Sequence, residues 1–433
     1  MKNNPITQNK FFLISLFVTI SIFFWYVRLN NFNNMMTFHI DQAEHIFNAK
    51  EMVDEGKIRL IGPIVSTRVV EGRGYFIGPY YLYILAALGI IFSWNVIVMT
   101  KALLLMWWLT SLGFLVWIGK KMNWYVGLLS YLVLAAHPLL IGFSRMFINP
   151  NFTAPVGLLF FYFLYRAWKN NKWWEWLLAG VFAGIGISFH FAVMIWLVFI
   201  GGTWLASLIR GKAKWWYLIV AGAGAILGDL PYILFELRHN FYNLRTMLSI
   251  GVNPGNDSIP AGYYLFAFIP LLIWPFAYLA NYITKKTHFL ITLALVFVYL
   301  FYVQAQNPHP AVRGIGMPKG WSVPLQQDLA QRICDDPDKG SFELAGLITA
   351  DLRALDLRWW VEQCGAKPAG FMEYPFVDTL FMVDQGFQAK GEMHGNWEVA
   401  SMNPHTVELQ EQLNEYLWFY KLKRVKEGDV TAE

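Results

Sequence analysis

The sequence predicts an α-helical polytopic membrane protein with a small C-terminal α/β domain. Three observations carry this. The 433 residues are 56% hydrophobic and only 15% charged, where a soluble globular chain carries about 25% charged residues. The chain holds 20 Trp and 35 Phe, and apolar runs long enough to span a bilayer recur over its first three hundred residues. From residue 305 the composition turns more polar. The formal net charge of +5 is modest, and the basic residues fall in short clusters between apolar runs. That pattern reads as membrane topology and argues against nucleic acid as a partner. The sequence contains no Gly-rich phosphate loop, no CxxC pair and no recognisable inverted repeat of the transporter kind.

The elements follow in order. Lys2 and Lys10 precede the apolar run 11–29. This run is long and lacks a small-residue cleavage site, so it reads as an uncleaved first span and not as a signal peptide. Further spans are predicted at 96–118, 124–141, 153–168, 175–190, 191–209, 215–235, 262–281 and 288–304, each near the length of about 17–25 residues that a bilayer requires. The segment "PYYLYILAALGIIFSW" (79–94) is borderline. If it does not span and the N-terminus is cytoplasmic, then Lys120 and Lys121, Arg166, Lys169 and Lys172, Arg210, Lys212 and Lys214, and Lys285 and Lys286 all lie in cytoplasmic loops. If it spans, all of them move outside, against the positive-inside rule. It is therefore predicted as an interfacial helix in the outer leaflet.

This topology divides the chain into a membrane domain, 1–304, with a first outer loop at 30–95, and an extracytoplasmic domain, 305–433. In the latter, helices are expected near 323–334, 352–364 and 405–420, and a strand in "FVDTLFMVD" (376–384). Its cysteines, Cys334 and Cys364, are the only two in the chain. Outside the cytosol they could form a disulfide, and otherwise they are two small apolar residues.

Polar residues cluster at the expected outer boundary, where ionisable groups are costly and invite a functional reading. In "TFHIDQAEHIFNAK" (37–50) a helix would align Asp41, Glu44, His45 and Asn48 on one face and Ile40, Ala43 and Phe47 on the other. Asp41 to Glu44 also fits a capping box, which explains both acids without chemistry. In "HPLLIGFSRMFINPNF" (137–152), Arg145 is either an interfacial anchor or a guanidinium holding a phosphate. The "NPN" at 149–151 fits a turn. His190 in "GISFHF" suits either a structural or a ligand-binding role. "GDLPYILFELRHNFYNLRTM" (228–247) brings Glu236, Arg238, His239 and Arg245, or else forms a solvated interfacial helix. Lys101 lies near the outer end of its span and can snorkel.

Four stretches together resemble the GT-C glycosyltransferases, in particular the bacterial family 39-like branch related to protein O-mannosyltransferases and the lipid A aminoarabinose transferase. "HIDQAEHIFNAKEMVDEGK" (39–57) looks like the first outer loop with its acidic motif. "FIGPYYLYILAALG" (76–89) looks like the following juxtamembrane helix. "AAHPLLIGFSRMFINPNFTAP" (135–155) and "LPYILFELRHNFYNLRTML" (230–248) look like later outer loops. The likeness covers roughly residues 8–305 and is weak in the tail.

The resemblance implies a multi-pass membrane enzyme of the cell envelope. It would take a polyprenyl-phosphate sugar from the bilayer and transfer the sugar, with inversion, to a lipid, glycan or protein acceptor at the outer face. By position Asp41 matches the proposed general base. Arg145, with Arg238 or Arg245, would hold the phosphate, and Glu44, His45, Asn149 and His190 are the remaining candidate substrate-binding residues. The chain departs from the family twice. Gln42 follows Asp41 where an acid is usual, and Asn149 and Asn151 stand where the second loop often has another acid. Amides are poorer ligands for hard divalent cations than carboxylates, so the departures argue against a required metal, and no other cofactor is indicated. The competing readings are a lipid-linked sugar flippase or polymerase-like protein, and a non-enzymatic membrane scaffold.

Overall fold

A computed structural model of the chain describes residues 10–64, 74–250, 268–286, 289–306, 313–348, 352–385 and 396–425. The chain forms two compact units, one comprising Met1–Asn30 and Asn48–Pro308, the other Asn31–Phe47 and His309–Glu433. The helix Ile40–Asp54 contributes residues to both. As expected from the sequence, the protein is mostly helical, with a small mixed sheet near its C-terminus.

In the first unit each predicted span overlaps helix where it is described, with residues 262–267 and 288 of two of the spans lying outside the described residues. Among the described residues, three helical segments are long and apolar enough to cross a membrane: Lys10–Leu29, Val96–Lys121 and Phe191–Ile209. A fourth span is possible if Tyr217–Gly228 and Leu230–Arg238, which meet at 81°, count as one broken segment. The other runs form shorter helices for local reasons. Expected span 124–141 divides into Trp124–Ala136 and Pro138–Phe143. A residue before proline is pushed out of helical geometry, and His137 accordingly sits at φ −66°, ψ 123°. The break at Asp229 falls two residues before Pro231, which sits in the first turn of the next helix, where its missing N–H is tolerated, whereas it could not continue the preceding one. Segment 79–94 forms the apolar helix Tyr80–Ile91.

The closest helix contact uses glycine. Helix Trp173–Phe189 carries Gly180 and Gly184, and Tyr217–Gly228 carries Gly224 and Gly228. A Cβ built on Gly180 would lie 2.0 Å from the Ala221 carbonyl oxygen, and one on Gly224 2.3 Å from that of Leu177. Two small-xxx-small faces therefore bring backbone against backbone, the usual solution where lipid removes the hydrophobic drive between helices. Around this pair pack Phe160, Trp176, Trp196 and Ile200, with Phe160 and Trp196 stacked at 4.7 Å.

The second unit is built on a four-stranded sheet of order β1-β2-β4-β3, with β1 Phe342–Leu347, β2 Thr379–Asp384, β3 His405–Gln412 and β4 Trp418–Arg424. β1 and β2 are parallel, and the other neighbours are antiparallel. A parallel pair requires a crossover, supplied in part by helix Leu355–Gln363. Helix Val323–Asp335 matches its prediction, as does the strand within 376–384. The helix expected at 405–420 is corrected: this stretch forms β3 and the start of β4. The physical reason is alternation and pairing. Thr406-Val407-Glu408-Leu409-Gln410 alternates polar and apolar residues with the period of a strand, and β4 fixes this exposed edge strand by register. Cys334 and Cys364 form a disulfide that joins the ends of helices Val323–Asp335 and Leu355–Gln363.

Candidate functional site

The second unit holds the start of the acidic stripe. Segment Asn31–Phe47 packs with the C-terminal residues. Thr37 Oγ1 donates to the Ile315 carbonyl at 2.9 Å. Phe38, fully buried, meets Trp360 edge-on at 5.5 Å, and Phe47 meets Trp359 at 5.1 Å. Gln326, also fully buried, donates from Nε2 to the Phe38 carbonyl at 3.0 Å and to Asp356 at 3.3 Å. Its Oε1 accepts from Trp360 Nε1 at 2.9 Å. Asp356 also accepts from Trp321 Nε1 at 2.7 Å. Burial pushes the Asp356 carboxyl above its ordinary range, while nearby His39 and the Trp321 hydrogen bond pull it back.

This corrects the capping-box expectation. The helix starts at Ile40, and it is Gln42 that reaches back, its Oε1 accepting from the backbone N–H of His39 at 3.1 Å. Asp41 is therefore the second helical residue and not the cap. Its side chain is exposed, whereas Gln42, Ala43 and Ile46 are buried. Glu44 and His45 are half-buried on the same stripe. Burial holds the His45 imidazole down to about 4, with the Asp41 charge pulling the other way.

Asn48, the fourth member of the predicted stripe, belongs to the first unit. It accepts from Arg59 at 2.7 Å, and Arg59 also pairs with Glu51. Arg145 in the same unit is buried, with 4% exposure. Its Nε donates to the Arg28 carbonyl at 3.1 Å, and its NH2 group to the carbonyls of Val27 and Asn30. Those carbonyls end the first span, where helical acceptors lack partners and a cation is favoured. The sequence left Arg145 between anchor and phosphate ligand, and in this geometry its Nε and NH2 hold the end of the first span. Arg28 beside it is fully buried and donates to Ala135, Leu134 and Ser144. Sequence reading passed over Arg28, although its place at the end of an apolar run was a signal.

The remaining candidates separate. Asn149 donates to the Phe189 carbonyl at 2.6 Å, and His190 Nδ1 accepts from the Ala192 N–H at 3.1 Å. Both therefore hold the turn after helix Trp173–Phe189. Buried Glu236 accepts from the N–H groups of Asn243 and Leu244 at 3.1 Å each. It thereby caps helix Tyr242–Ile250. Arg238 and Arg245 are exposed and form no ion pair among the described residues. Asp229, which the sequence reading did not single out, is 5% exposed at the helix break. Among the described residues, no three or more His, Cys, Asp or Glu side chains are grouped to hold a metal ion.

The fold thus defines a class, a mostly helical protein of membrane type with a C-terminal mixed sheet. No family model and no curated protein matches the chain. Among solved structures it is similar to ArnT from Cupriavidus metallidurans in the apo state, with a TM-score of 0.46, 12% identity, and coverage of 94% of this chain and 97% of that one. It is also similar to the same protein bound to undecaprenyl phosphate, with a TM-score of 0.43, 11% identity, and coverage of 95% and 98%.

Proposed function

We propose that the protein is a membrane glycosyltransferase that moves a sugar from a polyprenyl-phosphate donor to an acceptor at the outer face of the membrane, with Asp41 as general base. The observation that carries this reading is Asp41 itself. It is an exposed carboxylate on the first turn of the helix that follows the first span, in the stretch that resembles the family's acidic motif. The acceptor hydroxyl loses its proton to Asp41 as its oxygen attacks the anomeric carbon. The bond from that carbon to the phosphate oxygen breaks on the opposite face, which inverts the centre. Polyprenyl phosphate leaves as an anion, so no general acid is needed. What the leaving group needs is positive charge. Within the first unit, Arg238 and Arg245 are exposed and form no ion pair among the described residues. Arg145 spends its guanidinium on carbonyls.

In this reading the N-terminus is cytoplasmic and the C-terminal residues lie outside. The basic clusters support this topology, and so does the Cys334–Cys364 disulfide, because such bonds persist in oxidising compartments. The test is reconstitution of the purified protein in proteoliposomes loaded with labelled polyprenyl-phosphate sugars. Time-dependent loss of label from the lipid, with release of polyprenyl phosphate, supports transfer. Movement of intact donor between leaflets without bond cleavage supports the flippase reading instead.

A further inference from the structure

Within the first unit, helices Val96–Lys121, Thr153–Asn170, Ile195–Ile209 and Ile269–Lys286 line an open cavity of about 1040 Å³. Val96–Lys121 and Thr153–Asn170 contribute mainly their C-terminal turns, and the other two contribute residues along their length. Trp117, Tyr165, Trp168 and Trp274 supply aromatic wall, and Gly202 and Ala206 leave the room. A Cβ added at Gly202 would meet nothing within 4 Å. Lys121 ends the first of these helices and Lys285 stands one residue from the end of the last, and both line the cavity. Both are exposed. Lys121 Nζ donates to Tyr165 Oη at 3.0 Å and lies 4.3 Å from that ring's centre. Asn123 Nδ2 donates to Asn281 Oδ1 at 3.0 Å across the same region. None of the described lining residues is acidic.

Apolar rings around a space this large call for hydrocarbon, and two ammonium groups with no carboxylate beside them call for an anion. A molecule with both is an anionic phospholipid. We propose that this cavity binds one, with its acyl chain along the aromatic wall and its phosphate between Lys121 and Lys285. Basic pockets between spanning helices recognise anionic head groups in this manner. The site is separate from the Arg145 turn, which adjoins the opposite end of helix Thr153–Asn170. Thr153 and Trp168 are roughly 22 Å apart at about 1.5 Å rise per residue. The inference does not rest on transferase activity.

Native mass spectrometry of the full chain, titrated with phosphatidylglycerol and separately with phosphatidylcholine, tests it. Wild type should bind phosphatidylglycerol preferentially. The Lys121→Ala/Lys285→Ala pair should weaken that binding by about 10–30-fold, given about 1 kcal/mol, or about fivefold, per basic residue near a head group, and should leave phosphatidylcholine unchanged. Gly202→Trp should fill the space and remove the bound lipid while thermal unfolding stays near wild type. Lys212→Ala/Lys214→Ala, on a loop outside the cavity lining, should have little effect. Glycerol phosphate in excess should fail to compete, because it lacks the chain. Equal binding of the two lipids by wild type, an unaffected Lys121/Lys285 variant, or an equal loss in the Lys212/Lys214 control would overturn the proposal. Displacement by glycerol phosphate would reduce the site to a phosphate site and also overturn it.

Discussion

Replacing Gln326 with leucine should loosen the first-loop segment that carries Asp41. Leucine is close in size to glutamine, so the change removes hydrogen bonds more than volume. Gln326 holds the Phe38 carbonyl and the Trp360 indole N–H, and both of those residues are buried. Asp356 keeps its bond from Trp321. Two buried polar groups are thus orphaned, at about 1–3 kcal/mol each, or about 2–6 kcal/mol together. At tenfold per 1.4 kcal/mol, local opening should become about 30-fold to 10⁴-fold more frequent. Hydrogen–deuterium exchange on the full chain in detergent reads this directly. Amides 36–47 and those near Trp360 should exchange faster, while helix Val96–Lys121 keeps its protection. If amides 36–47 exchange as in wild type in a folded Gln326→Leu protein, the C-terminal residues do not hold this segment, and the packing argument fails.

Three further outcomes follow from the same physics. Gly224→Ala should destabilise by about 1–3 kcal/mol, because its Cβ meets the Leu177 carbonyl, a backbone atom that cannot swing aside. Gly222→Ala, on the same helix with nothing within 4 Å, should be neutral or stabilising by up to about 1 kcal/mol, and paired thermal unfolding curves separate the two. His45 is held near 4 by burial, against an ordinary value of 6.5. Between those values the unfolded chain binds a proton that the folded one does not, so stability falls as pH drops from about 6.5 to about 4. His45→Leu should remove this component, seen as a wild-type-minus-variant stability difference that is flat above that window and declines within it. Loss of the Cys334–Cys364 disulfide, which closes a loop of 30 residues, should cost about 3–4 kcal/mol on the chain-entropy estimate. Denaturant unfolding of the Cys334→Ser/Cys364→Ser variant measures it.

The helical part of the fold was legible because apolar runs leave a strong signal. Each predicted span overlaps helix among the described residues, and the internal breaks come beside Pro138 and Pro231. The glycine contact was also written in the sequence, as Gly180/Gly184 and Gly224/Gly228, but the small-xxx-small spacing was not recognised. At β3 the alternation was there to read: Val407 and Leu409 stand between Thr406, Glu408 and Gln410, a period of two that fits a strand and not the expected helix, and pairing with β4 fixes it. At the candidate site, the prominence of Asp41 was visible but its surroundings were not. The cap is His39 with Gln42, a pairing outside the Asp/Ser-and-Glu pattern that was sought. Gln326 and Asp356 lie about three hundred residues downstream, and tertiary packing alone brings them to Phe38 and His39. Arg145 was ambiguous for a related reason. A cation at a helix end serves a phosphate or a carbonyl equally well, and the three-dimensional position of the first span supplies carbonyls to Arg145 Nε and NH2.

The most direct test of the account is sugar transfer from a labelled polyprenyl-phosphate sugar by purified wild-type and Asp41→Asn proteins, each shown to be monodisperse. Asp41 is exposed and does not cap its helix, so the substitution forfeits at most its interaction with the helix dipole, about 0.3–1 kcal/mol. Folding should survive. Asparagine cannot accept the acceptor's proton, so turnover should fall by about 10²–10⁴-fold, with the melting temperature near that of wild type. Transfer by Asp41→Asn at close to the wild-type rate would contradict the account and place the base elsewhere.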